Sequence, residues 1–219
     1  MRNCMKPFTR TFGSRILRPL EHHHESGTST AQRVAQLIAR LEAAGITSDA
    51  EIDRVVEHFL ASSGPANGAK LIARAWVDPA FKALLLDDAA AALERVELDM
   101  SHWAPVRLQA VENDALVHNV VVCTLCSCYP IALLGPAPTW YKSEAYRSRV
   151  VRAPRAVLAE FGVTIGDEVE IRVWDSTADL RYIVVPERPA GTEDWTEERL
   201  SSLITRDALI GVAKPSLPR

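Results

Sequence analysis

The chain contains 219 residues, 47% of them apolar, which is enough to bury a core in one domain with an appendage. Its formal net charge is −3, and acidic and basic residues are mixed along most of the sequence. This balance gives no electrostatic reason to expect nucleic acid or an anionic membrane as a partner. Residues 115–141 contain no charged side chain, but Asn, Gly and Pro interrupt them before ~20 apolar residues accumulate, so no transmembrane helix is predicted there.

The first 27 residues are predicted to form a basic, disordered tail. Residues 1–20 contain five Lys or Arg and no acid, a composition also found in transit peptides, but no strong amphipathic period accompanies it. Because no hydrophobic segment leads to a small-residue cleavage site, secretion is not predicted and a cytoplasmic location is expected. Cys4 lies in this tail, apart from the other three cysteines, and no role is predicted for it.

Residues 28–100 are predicted to form a helical N-terminal arm. Between Thr28 and Gly45, apolar residues recur with a helical period, and Gly45 is a typical helix stop. A second helix is expected to begin with a capping box from Ser48 to Glu51. Further helical segments follow up to about residue 96, one of them introduced by Asp78 and a proline at the first helical position.

Beyond Met100 the hydrophobic period changes from 3.6 to about 2, which is typical of strands. Four segments carry this pattern: 106–113, 118–124, 168–176 and 181–188. The last two are separated by a short polar turn and are predicted to form an antiparallel pair. A helix is expected at 196–204 and a final strand at 207–213. The predicted fold class is therefore α+β, with the helical arm followed by a layered α/β/β/α metal-binding domain over residues 101–219.

Three cysteines lie within six positions, Cys123, Cys126 and Cys128, with the spacing C-x-x-C-x-C. A structural disulfide is disfavoured, because Cys126 and Cys128 are too near in sequence for relaxed disulfide geometry and because no secretion is expected. A redox pair of the C-x-x-C type would leave Cys128 unexplained, and a zinc site would need further ligands from elsewhere. Both remain open on spacing alone.

A further possibility is a metal ion held by this loop alone. A tight bend between Cys126 and Cys128 would bring the backbone amides of Ser127 and Cys128 to the same point as the three sulfurs. Three thiolates and two deprotonated amides around a trivalent ion carry a net charge of −2. Such a unit needs cationic groups nearby if it is buried.

The segment VVVCTLCSCYP at residues 120–130 resembles the metal-binding loop of nitrile hydratase alpha subunits and of the related thiocyanate hydrolase gamma subunits. The resemblance extends over about residues 50–213. It includes GAKLIARAWVDPAFKALLL before the loop, WYKSEAYRSRVVRAPRAVLAEFG after it, and RYIVVPERPAGTEDWTEERLSSLI near the end. Trp-Pro frequently follows the Tyr-Pro of this family, whereas this chain has Ile131 and Ala132, which leaves the substrate open.

The resemblance implies that Cys123, Cys126 and Cys128, with the amides of Ser127 and Cys128, bind Co(III) in preference to Fe(III). Thr124 favours cobalt, because the residue after the first cysteine tends to be Thr in cobalt members. Cys126 would be oxidised to a sulfinate and Cys128 to a sulfenate. Cys128 and Ser127 are the expected catalytic residues in the hydration of a small nitrile to an amide.

The resemblance also implies a beta-type partner subunit and an activator protein for maturation. The alternatives are the cobalt-bearing subunit of a thiocyanate hydrolase and a non-catalytic module that binds zinc or thiols. Arg147 and Arg149 are predicted to face the anionic loop or the partner, although a solvated helix face would also explain them.

For four other residues the sequence allows two interpretations of their role. Trp140 and Tyr146 could line the substrate entrance or only pack. Asp175 could orient an arginine or cap a turn. His118 is expected to be a strand-edge histidine rather than a metal ligand.

Overall fold

The computed structural model describes residues 29–98 and 106–218. The predicted tail at 1–27 lies outside the described residues, as does the predicted domain boundary at residue 100. The contacts divide the chain into two compact units, one up to Ile52 and one from Asp53 onward. Within the described residues, no helix combines the length and the apolar character needed to cross a membrane.

The first helix, α1, spans Thr30–Ala43 and confirms the helix predicted after Thr28. It begins with a complete capping box, in which Ser29 and Gln32 each accept a hydrogen bond from the other's backbone amide. It ends before Gly45, whose φ of 65° suits glycine. None of its residues is buried, and Leu37 on its apolar face remains 56% exposed.

Four more helices confirm the helical segments predicted up to about residue 96: α2 (Asp49–Ser62), α3 (Pro65–Val77), α4 (Pro79–Asp87) and α5 (Ala89–Arg95). Asp78 caps α4 by accepting a hydrogen bond from the Phe81 amide at 3.0 Å. In α3, Gly68 allows close packing, because a Cβ there would lie 2.8 Å from the carbonyl oxygen of Leu133. The third helix thus packs against the segment that follows the cysteine loop.

Four strands occupy the predicted positions: β1 (Arg107–Glu112), β2 (Val117–Val122), β3 (Glu170–Asp175) and β4 (Leu180–Val185). Their pairing differs from the prediction, because β3 and β4 do not pair with each other. Instead, β1 pairs with β4 and β2 with β3, both in parallel. The reason is burial: consecutive residues Val120, Val121 and Val122 are all buried, as expected for a parallel strand covered on both faces.

The remaining helices are short: α6 (Ile131–Leu134), α7 (Thr139–Lys142), α8 (Glu144–Val150), α9 (Pro154–Glu160), α10 (Glu197–Ser201) and α11 (Arg206–Ile210). The predicted strand at 207–213 is wrong, because α11 occupies most of it. Thr205 caps this helix through its hydroxyl, which accepts a hydrogen bond from the Ala208 amide at 3.2 Å. Gly211, with a φ of 89°, ends it.

A buried polar network ties α11 to β2. His118 lies within β2, and its Nε2 donates a hydrogen bond to the carbonyl oxygen of Gly211 at 2.8 Å. Its Nδ1 accepts one from the side-chain Nδ2 of Asn113 at 3.3 Å, so the ring is the neutral tautomer with the proton on Nε2. Burial lowers the pKa of His118. This histidine is therefore structural, as predicted, although it lies inside the fold rather than at an edge.

One hydrophobic core contains residues of the strands, of helices that precede β1 and of helices that follow β2. Its largest fully buried side chains include Leu71, Leu85, Leu158, Ile183 and Leu209. This arrangement of helices around two small parallel sheets confirms the mixed α+β class. It also places the segment after β2, which carries the cysteines, against buried structure on one side.

Candidate metal centre

The three predicted metal ligands converge at the end of β2. The sulfur of Cys123 lies 3.7 Å from that of Cys126, which in turn lies 2.9 Å from that of Cys128. All three sulfurs lie within 4.8 Å of one another, and none forms a disulfide. Cys123 and Cys128 are buried while Cys126 is exposed, so the cluster has a protected side and an open side.

A strained residue produces the bend in this loop. Ser127 has a φ of 71°, in the left-handed region that non-glycine residues seldom adopt. This conformation reverses the chain between Cys126 and Cys128 and brings their sulfurs to the same side. The tight bend that the sequence predicted between these cysteines is therefore present.

Backbone amides surround the first cysteine sulfur. The Cys126 amide donates a hydrogen bond to the sulfur of Cys123 at 3.3 Å. Burial by itself would raise the pKa of Cys123, but the amides of Cys126, Cys128 and Leu125 outweigh it and lower the pKa to about 7. The thiolate, which is the form that binds metals, is therefore more populated at Cys123 than at an ordinary cysteine.

The environment of the third cysteine favours the thiol in the absence of a metal. Burial raises the pKa of Cys128 to about 12, and the neighbouring Cys126 sulfur adds to the rise. The positive charge of Arg181 acts in the opposite direction. The sulfurs of Cys126 and Cys128 lie 2.9 Å apart, so two negative charges there would repel each other strongly, and a bound metal ion would favour the deprotonation of both thiols.

Asp175 fixes the start of the loop. Its carboxylate accepts hydrogen bonds from the Thr124 amide at 2.9 Å and from the Thr124 hydroxyl at 2.6 Å. The carboxylate therefore anchors the cysteine loop, a role that neither of the two alternatives raised from the sequence describes. Thr124, expected to favour cobalt, has its hydroxyl engaged by this carboxylate.

Arg147 contacts the loop from α8, whereas Arg149 does not. The Nη1 of Arg147 donates hydrogen bonds to the carbonyl oxygens of Leu125 at 2.9 Å and Thr124 at 3.4 Å. Its Nε is buried without a hydrogen-bond partner among the described residues. Arg149 instead forms an exposed ion pair with Glu160. The predicted pair of arginines is therefore divided, with only Arg147 at the loop.

An aromatic cluster supports the loop from behind. Tyr141 is fully buried, and its hydroxyl donates a hydrogen bond to the carbonyl oxygen of Cys128 at 2.9 Å. Tyr146 donates in the same way to Val121 at 2.8 Å. Burial raises the pKa of both phenols, so they remain protonated donors. Trp140 packs edge-on against Tyr146, with the two ring centroids 4.9 Å apart.

The sequence interpretation missed Tyr141 and Arg181. Tyr141 was passed over because nothing in its local sequence reveals which carbonyl its hydroxyl reaches. Arg181 lies at the start of β4, and only the three-dimensional arrangement brings its charge near Cys128. Neither position carries a motif from which its role could have been read.

The sulfur cluster is compact enough for its three thiolates to bind one metal ion. A metal–sulfur bond of about 2.3 Å places neighbouring sulfurs about 3.3 Å apart around a six-coordinate ion and about 3.8 Å apart around a tetrahedral one. Of the two sulfur separations, 3.7 Å is near the tetrahedral value and 2.9 Å is shorter than both, so the spacing fits a shared ion without distinguishing the two geometries. Within residues 29–98 and 106–218, no His, Asp or Glu joins the three cysteines, so a fourth side-chain ligand for tetrahedral zinc is missing there.

Comparisons with known proteins identify the family. The family model for the nitrile hydratase alpha chain matches residues 28–213. The low-molecular weight cobalt-containing nitrile hydratase subunit alpha of Rhodococcus rhodochrous is 51% identical over 193 residues, covering 88% of this chain and 92% of the relative. The thiocyanate hydrolase subunit gamma of Thiobacillus thioparus is 45% identical over 175 residues, covering 76% and 72%.

Solved structures agree with the sequence comparisons. A double mutant of the Fe-type nitrile hydratase from Comamonas testosteroni Ni1 superposes with a TM-score of 0.79 at 42% identity, covering 88% of this chain and 97% of that one. Fold, cysteine cluster and sequence thus lead to one conclusion. The chain belongs to the nitrile hydratase alpha-chain family.

Proposed function

We propose that this chain is the metal-carrying alpha subunit of a cobalt-type nitrile hydratase, which hydrates a small nitrile to the corresponding amide in the cytoplasm. The observation that carries the proposal is the convergence of the sulfurs of Cys123, Cys126 and Cys128 within 4.8 Å on one loop. A beta-type subunit is the proposed partner, and an activator protein is proposed to load the metal.

The sulfurs of these three cysteines and the backbone amides of Ser127 and Cys128 would hold the ion. When bound, a trivalent cobalt ion would supply Lewis acidity that activates a nitrile or a water molecule. Cobalt is preferred to iron because relatives at up to 51% identity are named cobalt-containing and because Thr124 follows the first cysteine. Oxidation of Cys126 and Cys128 is part of the same proposal.

The chain's own residues prepare this site in three ways. Burial of Cys123 and Cys128 keeps water from one side of the loop, while the exposed Cys126 marks the side from which substrate and partner approach. The Tyr141 hydroxyl donates a hydrogen bond to the Cys128 carbonyl oxygen. This bond fixes the main chain next to the proposed catalytic sulfur. Arg147 places one positive charge next to a unit that would be dianionic.

The test is to co-express the full chain with its beta-type subunit and activator and to measure three quantities. We expect about one cobalt per alpha subunit, a loop peptide heavier by the oxygens of a sulfinate and a sulfenate, and amide formation from a nitrile. Zinc bound by unmodified thiols, with no hydration, would instead support the non-catalytic module.

Thiocyanate hydrolysis is a second candidate, because the gamma subunit of a thiocyanate hydrolase is 45% identical to this chain. Ile131 and Ala132 follow the loop where many nitrile hydratases carry Trp-Pro, so the loop sequence does not separate the two activities. Assaying the cobalt-loaded complex with a nitrile and with thiocyanate distinguishes the two activities. Ammonia and carbonyl sulfide from thiocyanate, without amide from any nitrile, would reject the first choice.

A further inference from the structure

We propose that Arg147 is a positioning residue, which orients two successive peptide groups so that their N–H bonds face the sulfur of Cys123. Without the hydrogen bonds from Arg147, only contacts within the loop would orient these peptide groups. The inference rests on the proposed function only in treating the loop as the metal site, and its geometry can be measured without metal or substrate.

The first step concerns the carbonyl groups. A guanidinium nitrogen of Arg147 donates hydrogen bonds to the carbonyl oxygens of Thr124 and Leu125, at 3.4 and 2.9 Å. In a planar trans peptide the C=O and N–H bonds point in opposite directions. Fixing these two carbonyls toward Arg147 therefore turns the N–H bonds of Leu125 and Cys126 away from it.

The second step concerns where those N–H bonds point. The Cys126 amide donates to the sulfur of Cys123 at 3.3 Å, and the Leu125 amide lies close enough to this thiol to help lower its pKa. The two amides that Arg147 is placed to orient are thus two of the three that surround Cys123. The Thr124 amide differs, because Asp175 accepts its hydrogen bond at 2.9 Å.

The third step explains why a side chain is needed for this task. The Leu125 side chain is 86% exposed, and Cys126 is exposed as well. Neither side chain anchors its peptide group by packing, so the hydrogen bonds from Arg147 replace that anchor. Arg147 itself is half-buried, and its position on α8 is fixed by the neighbouring buried residues Tyr146 and Val150.

The test measures hydrogen exchange at single amides in the metal-free complex of the full chain with its partner. In Arg147→Met, which keeps the bulk but removes the donors, we expect the Leu125 and Cys126 amides to exchange on the order of ten-fold faster. The Thr124 amide, held by Asp175, should change less. After cobalt loading, the sulfur-to-metal charge-transfer band should shift in the same variant.

Arg152→Met is the matched control. Arg152 is exposed and donates to the Ser148 carbonyl at 2.9 Å rather than to the loop. Its substitution should leave loop exchange and the absorption band unchanged. Equal exchange at Leu125 and Cys126 in Arg147→Met and the wild-type chain would overturn the proposal, and so would equal acceleration in both variants.

Arg147→Lys is measured if the methionine variant fails to fold. Its ammonium keeps the charge but reaches less far, so the Leu125 amide, whose peptide carbonyl lies at 3.4 Å, should lose protection before the Cys126 amide. Wild-type exchange at both amides, or acceleration spread over the whole chain, would contradict the inference. Because these readings need no turnover, they stand apart from the hydration assay, and either proposal can fail alone.

Discussion

Thr124 and Asp175 are joined by two hydrogen bonds, one from the threonine amide and one from its hydroxyl, each to a different carboxylate oxygen. The pairing follows from the sheet. Val122, near the end of β2, lies opposite Asp175 at the end of β3 in the parallel register. Because parallel strands end at the same edge, the loop that leaves one strand meets the last residue of the next. The cysteine loop is thereby fastened to a strand residue 51 positions further along the chain.

We predict that weakening this contact destabilises the loop in two distinguishable steps. Thr124→Val removes only the hydroxyl and should cost about 1 kcal/mol, the net value of one hydrogen bond. Asp175→Asn also removes the negative charge and should cost about 1–3 kcal/mol. Urea unfolding of the metal-free protein measures both. Thr164→Val, at an exposed position, is the control, and an equal effect there would rule out a specific role for the contact.

We expect Cys126→Ala and Cys128→Ala each to abolish cobalt binding and nitrile hydration, since either change leaves two thiolates where three are required. Metal analysis and amide formation by the purified complex are the measurements. Cys4→Ala is the control within the same chain and should behave like the wild type. Normal turnover by either loop variant would contradict the assignment of the site.

Gly211→Ala should be far more destabilising than Gly191→Ala. Both glycines have positive φ, 89° and 79°, so both alanine variants bear the same backbone strain of about 1–2 kcal/mol. A Cβ at Gly211 would also lie 2.0 Å from the carbonyl oxygen of Asn119, whereas a Cβ at Gly191 meets nothing within 4 Å. Since the main chain at Gly211 would have to move, we expect a total loss above about 3 kcal/mol in urea unfolding.

The neutral state of His118 predicts a loss of stability in mild acid. Burial lowers its pKa from the ordinary 6.5, with the Gly211 carbonyl and Glu187 opposing the shift and Lys214 adding to it. Below pH 6.5 the unfolded chain therefore binds a proton that the folded chain does not. The free energy of unfolding should fall as the pH drops from 6.5 toward the lowered pKa, by at most about 1.4 kcal/mol per pH unit.

The variant His118→Gln isolates this effect. Glutamine can still donate to the Gly211 carbonyl but does not titrate. We expect its unfolding free energy, measured from pH 7 to pH 5, to lack the part of the slope that belongs to His118. Identical slopes in the two proteins would mean that other groups cause the acid sensitivity.

Much of the fold could be predicted because local signals agree with the final structure. The helix at Thr30–Ala43 follows from its apolar period and its capping residues, and the strands lie where the period falls to two. Strand pairing could not be predicted in this way. Their proximity in sequence favours the pairing of β3 with β4. In the structure β3 pairs with β2 instead, and the burial of Val120 to Val122 in β2 is typical of a parallel strand that is covered on both faces. The helix Arg206–Ile210 was mistaken for a strand because short apolar runs do not distinguish the two.

The sequence predicts the cysteine cluster of the candidate site better than it predicts the side chains around that cluster. The three cysteines and the bend at Ser127 follow from spacing, and Arg147 was singled out by the basic composition around it. The roles of Arg147 and Arg149 could not be separated, because residues two positions apart on one helix face different surroundings. Tyr141 was not foreseen, since the partner of a buried hydroxyl is determined only by tertiary packing.

The parallel pairing of the strands has a consequence for the order in which the site can form during synthesis. The cysteines leave the ribosome before Asp175, and well before Val185, which completes the pairing of β4 with β1. A nascent chain that ends just after the cysteines lacks the carboxylate that fastens them and the neighbouring strand that supports them. On the proposed function, a metal ion offered before translation has passed β3 would meet a loop that lacks both supports.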